Sequence, residues 1–150
     1  MHSAVEIANK YIQLAEKEDS LFSHMKLQKL IYIANGIYLA TNNEPLISER
    51  IEVWPYGPVV ADVYRTYKAF GNSNICLDAF GIYPLDVQLT ENENKAFIDA
   101  WKIAKEVDAV QLSNWTHNQD SPWTKAKAEN LTVIPDDYMK DYFKKFLVNE

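Results

Sequence analysis

Cysteine occurs once, at Cys76, so the chain cannot close an internal disulfide. Its setting, Asn-Ile-Cys-Leu, reads as a small buried residue rather than a nucleophile. Glycine occurs four times, always singly, which excludes a glycine-rich phosphate loop, and no Gly-x-Ser-x-Gly elbow is present. His2, His24 and His117 share no metal-ligand spacing, so neither metal nor cofactor is expected. No apolar run approaches membrane-spanning length, and the start MHSAVEIANKY is not a leader peptide; a cytoplasmic chain without membrane contact is expected. Two Asn-x-Thr matches, at Asn114 and Asn130, are then chance. Basic residues are outnumbered, 15 against 21 acidic, for a net charge of −6. That balance argues against a broad nucleic-acid surface and favours a basic partner.

What the sequence does have is aromatic side chains, 13% of the total and nine of them tyrosine, together with repeated helix-start signals. At 150 residues one domain with a full core is expected. Ser3-Ala-Val-Glu6 and Thr90-Glu-Asn-Glu93 are capping boxes, in which side chain and backbone satisfy each other's free groups at a helix start. They open helices carrying Ala4, Ala8, Tyr11, Ile12 and Ala15, and Ala96, Phe97, Ala100, Trp101, Ala104 and Val107. The segment 23–40 is apolar on most sides and is placed at the centre of the fold. Glu49–Trp54 alternates like a short strand, and a second strand is placed near 81–83. Pro58 is read as the first position of a helix that presents Val63, Tyr64 and Tyr67 and ends at a left-handed Gly71. Short helices follow from Asp108 and from Ser121-Pro122, and a last amphipathic one spans Pro135 to Leu147. The predicted fold is mainly α: a single-domain helical bundle around a central buried helix, with a small β element.

Two stretches carry possible chemistry. In Leu112-Ser-Asn-Trp-Thr-His-Asn-Gln-Asp-Ser-Pro-Trp123, His117 oriented by Asp120 could serve Ser113, Thr116 or Ser121 as a general base. The preferred reading is a helix–turn–helix corner. There Asp120 or Ser121 caps the next helix, Pro122 takes its first position, and Trp115 and Trp123 fold into the core. His117 then fastens helices together at the edge of a binding surface. In Trp54-Pro-Tyr-Gly-Pro58 the prolines and glycine stiffen a bend bearing two large rings. Either the rings are buried at a corner or they are bare anchors for a partner, and both readings stand.

With these segments in place the chain resembles the Panacea domain, or SocA-like antitoxin, family, which includes phage-associated proteins. Lys26-Leu-Gln-Lys-Leu-Ile-Tyr32 with Ala34-Asn-Gly-Ile-Tyr-Leu-Ala40, Ile51-Glu-Val-Trp54 with Tyr56-Gly-Pro-Val59, and Leu112-Ser113, Thr116-His117 and Ser121-Pro-Trp123 carry the likeness. Pro55 departs from it, where a polar or basic residue is common. The resemblance implies a non-enzymatic antitoxin that binds a cognate protein toxin directly. Trp54, Tyr56, Gly57, Pro58, Tyr64, Thr116, His117, Asp120, Pro122 and Trp123 are then the candidate contact residues. The alternatives are a small enzyme using His117 and Asp120, or an adaptor handing a client toxin to a protease. The likeness leaves the toxin's identity and the oligomeric state open.

Overall fold

The computed structural model describes residues 1–76 and 87–148. The strand expected near 81–83 lies outside them. Seven α-helices occur among the described residues: α1 (Ala4–Lys17), α2 (His24–Asn42), α3 (Ala61–Tyr67), α4 (Glu91–Ala104), α5 (Ala109–Thr116), α6 (Pro122–Ala128) and α7 (Asp136–Val148). Two short strands, β1 (Glu52–Trp54) and β2 (Gly57–Val59), pair antiparallel between α2 and α3. None of these helices is long and apolar enough to cross a membrane.

Local chemistry sets most helix starts. Ser3 with Glu6, Thr90 with Glu93 and Asp108 with Gln111 close complete capping boxes on α1, α4 and α5. Helix α2 runs through the middle and packs against α1, α3, α4, α5 and α7. Every residue from Leu27 to Leu39 on it is buried, including Gln28, Lys29 and Asn35. An apolar core accepts such polar groups only where they have partners or a stated cost. Gln28 has partners: its Oε1 accepts from Val60 N–H (2.9 Å) and its Nε2 donates to Val60 O (3.3 Å). That clamp fixes Val60, the residue that precedes α3 and has no side-chain cap to offer it.

Pro58 is not the first residue of a helix. It lies in β2 opposite Val53, whose N–H turns the other way, to Thr132 O (2.9 Å). The pair needs no proline N–H, which is where a sheet tolerates proline. Helix α3 begins three residues later, and Gly71 follows a single 3-10 turn at Lys68–Phe70 rather than α3 itself. Segment 132–134 lies along the free side of β1, with Ile134 N–H donating to Ile51 O (2.9 Å). On α7, Met139 and Phe143 are the buried residues, while Tyr138, Tyr142, Phe146 and Leu147 only border the core.

The first turn of α4 also binds the N-terminal segment. His2 Nε2 lies 3.0 Å from Glu93 Oε1. Burial alone would raise the Glu93 carboxyl, but His2 and the bonds from Thr90 together hold it below its ordinary value. A depressed carboxyl stabilises the fold above its unfolded-state value, and that contribution is lost as pH falls through the folded one. Glu93→Gln is therefore expected to lower stability at pH 7 by about 1 kcal/mol and to flatten the acid limb of the stability curve, measured by urea unfolding.

Candidate functional site

The two stretches singled out in the sequence form one unit. The β1–β2 turn, Pro55–Tyr56, is held against the α5–α6 corner through three consecutive carbonyls. Trp123 Nε1 donates to Trp54 O (2.8 Å), His117 Nε2 lies 3.2 Å from Pro55 O, and Ser113 Oγ donates to Tyr56 O (2.9 Å). Gly57 completes the turn at φ 119°, where a side chain is strained, and a Cβ there would meet Thr116 Oγ1 at 2.8 Å. Beneath it Lys29 Nζ would lie 3.2 Å from that same Cβ.

The corner is built by capping. Ser121 Oγ accepts from Thr124 N–H (3.1 Å) and donates to Thr116 O (2.6 Å), joining the end of α5 to the start of α6. Pro122 takes the first position of α6, as expected. Thr116 Oγ1 donates to Ser113 O (2.6 Å), and His117 Nδ1 sits against the same carbonyl. Asp120 is exposed and makes no hydrogen bond among the described residues, so the structure does not bring it to His117. Both nitrogens of the His117 ring face carbonyl oxygens, which can only accept. Thr116 Oγ1 also lies 3.4 Å from Nδ1, with its own hydrogen directed to Ser113 O. No cluster among the described residues could hold a metal ion.

The rings divide as the bonding requires. Trp123 is 4% exposed and sits between the His117 ring (4.0 Å between centroids) and the Lys127 ammonium (4.9 Å). Trp115 packs on Tyr32 and Phe143 at the edge of the core. Tyr56, at the tip, is 72% exposed. Trp54 is half-buried, its Nε1 donating to Glu52, and its ring continues to Tyr64 (4.8 Å) and on to His24 (5.1 Å). Of the ten candidate contact residues, then, Gly57, Pro58, Thr116, Pro122 and Trp123 are buried. Trp54, Tyr56, Tyr64, His117 and Asp120 reach the surface. His117 does act as a fastening, but from a helix to a β turn rather than between helices.

Lys29 is the member of this unit that residue-by-residue reading missed. It is 1% exposed, its Nζ makes no hydrogen bond among the described residues, and burial pulls its ammonium down to about 8. The one available signal was a cation inside a helix apolar on most sides.

A family model described as antitoxin SocA-like, Panacea domain, matches residues 27–124, the span that contains Lys29, the turn and the corner. Antitoxin SocA of Caulobacter vibrioides is 28% identical over 155 residues, covering 92% of this chain and 80% of that protein. No solved structure matches the chain significantly. With the family model spanning well over half its length, the chain belongs to the SocA-like antitoxin family of Panacea domains.

Proposed function

We propose that the protein is a cytoplasmic, non-enzymatic antitoxin that neutralises a cognate toxin by direct contact, with the Pro55–Tyr56 turn at the centre of the interface. The observation that carries this reading is the triple fastening of the turn, which presents an exposed tyrosine on an ordered backbone. An aromatic side chain so held loses little freedom on binding, and interface energy concentrates in such anchors. Trp54 and Tyr64 extend the surface sideways, and the net charge of −6 favours encounter with a basic toxin.

Co-expression with an adjacently encoded toxin tests the reading. Tyr56→Ala removes a side chain that is mostly exposed, so it is expected to leave the unfolding midpoint nearly unchanged while weakening the complex by about 2 kcal/mol, roughly thirtyfold. Rescue from toxicity is then lost or sharply reduced. His117→Ala removes one of three fastenings and is expected to weaken binding by less, without abolishing rescue. Wild-type affinity and rescue in Tyr56→Ala would remove the turn from the interface, and absence of any complex would end the direct-contact reading.

A further inference from the structure

A second feature lies at the opposite end of β1 from the Tyr56 tip. A cleft of about 440 Å³ opens there between residues 45–51 and segment 133–136, within the size range of ligand pockets. Its floor is Asn35, 2% exposed. Asn35 Oδ1 is fixed by two backbone donors, Leu46 N–H (2.8 Å) and Ile47 N–H (3.4 Å). The other end of the amide, Nδ2, is thereby turned away from them and donates to no group among the described residues. One wall of the cleft is an open strand edge. Thr132 O and Ile134 N–H are paired with β1, so in an antiparallel ladder the N–H and C=O of Val133 between them point away from it. Neither group of Val133 has a backbone partner among the described residues.

The cleft therefore offers one amide donor and one donor–acceptor pair at strand spacing. Of its lining side chains Arg50 is positive and Glu49 and Asp136 are negative, the Glu49 carboxylate being engaged by Ala4 N–H (2.8 Å) and Ser48 Oγ (3.1 Å). A small anion has no surplus of positive charge to bind here. An uncharged chain of amides has every partner it needs.

We propose that this cleft is a peptide-backbone site, in which an extended segment of a partner polypeptide pairs with Val133 as a further strand and accepts a hydrogen bond from Asn35 Nδ2. Strand addition of this kind draws affinity from main-chain bonds and is tolerant of sequence. The available edge is one residue long, and Pro135 stops it from extending, so a short peptide binds weakly, in the millimolar range.

Two substitutions separate this role from a structural one. Asn35→Asp keeps an oxygen to accept from Leu46 and Ile47 but removes the donor aimed into the cleft. Val133→Pro deletes an N–H that the ladder with β1 does not use. The probes are end-blocked pentapeptides with threonine at odd positions and valine, lysine or glutamate at even ones, titrated into the full chain while backbone and side-chain amide resonances are followed. Saturable shifts at Val133 and at the Asn35 side-chain amide are expected with the valine peptide. The binding itself, read at Val133 in Asn35→Asp and at neighbouring amides in Val133→Pro, should weaken about tenfold in each variant, with Asn35→Asp less stable than the native chain because its carboxyl is buried but still folded by urea unfolding. Should Val133→Pro fail to fold, Asn35→Asp alone decides. Undiminished affinity in Asn35→Asp, or no saturable shift with any of the peptides, overturns the proposal. Neither substitution touches the Tyr56 tip, so this result and that of the toxin-binding experiment stand or fall separately.

Discussion

Lys29→Met is expected to raise the stability of the protein at neutral pH by on the order of 3 kcal/mol, and to abolish a rise in stability that the native sequence shows between about pH 8 and pH 10. The ammonium is held at about 8 in the folded state, against an ordinary 10.5, and burial is the cause. Around it lie Gly57 and Thr116, whose hydroxyl hydrogen is already committed to Ser113 O. Between those two values the unfolded chain binds a proton that the folded chain does not. Stability therefore increases with pH through that window, and below it the full penalty persists at a constant level. Each pH unit of displacement corresponds to about 1.4 kcal/mol, which gives the magnitude stated. Methionine preserves the length of the side chain and removes the charge.

The measurement is urea unfolding of both proteins at matched pH values from 7 to 10. The buried hydroxyls of Tyr11, Tyr32 and Tyr67 are all raised by burial, and they lower stability again as the unfolded tyrosines ionise near pH 10. Those effects are common to both proteins, so the difference between the two curves isolates Lys29. A difference that is flat across the window, or a variant less stable at pH 7, would show that the ammonium has a partner in the folded state.

Lys29 also marks the limit of what the sequence makes legible. Helix starts were readable because a capping box is written within four residues, as at Ser3, Thr90 and Asp108. The buried centre was readable because Leu27 to Leu39 is apolar almost throughout. The role of Pro58 was not, because its local chemistry suits both a helix start and an edge strand. The choice between them depended on Thr132, more than seventy residues away, turning the Val53 N–H outward. The two candidate stretches were each recognisable, yet the bonds that unite them, from Ser113, His117 and Trp123 to the turn, cross 57, 62 and 69 positions. No periodicity or cap encodes such a contact. Asn35 and Val133 were invisible for the same reason, since the first reads as a lone amide in an apolar helix and the second as a loop residue.

Gly36→Ala is expected to destabilise the fold by about 2 kcal/mol, although alanine is the better helix former by about 1 kcal/mol. Gly36 faces α7, and a methyl group there would meet the Phe143 ring at 2.2 Å, far inside van der Waals contact. Phe143 cannot easily retreat. It is fully buried, and its ring meets Tyr32, Trp115, Tyr142 and Phe146 at centroid distances of 5.4–6.1 Å. The strain is relieved only by moving α7 off α2, which opens the contact between the two helices. Phe143→Ala alone leaves a large cavity in the same place and is expected to cost about 4 kcal/mol. In the double variant the new methyl enters space the ring has vacated, so its loss should fall short of the sum of the single losses by about 1 kcal/mol or more. Thermal or urea unfolding of the four proteins measures that coupling. Additive losses would show that glycine at position 36 serves something other than the close approach of α7.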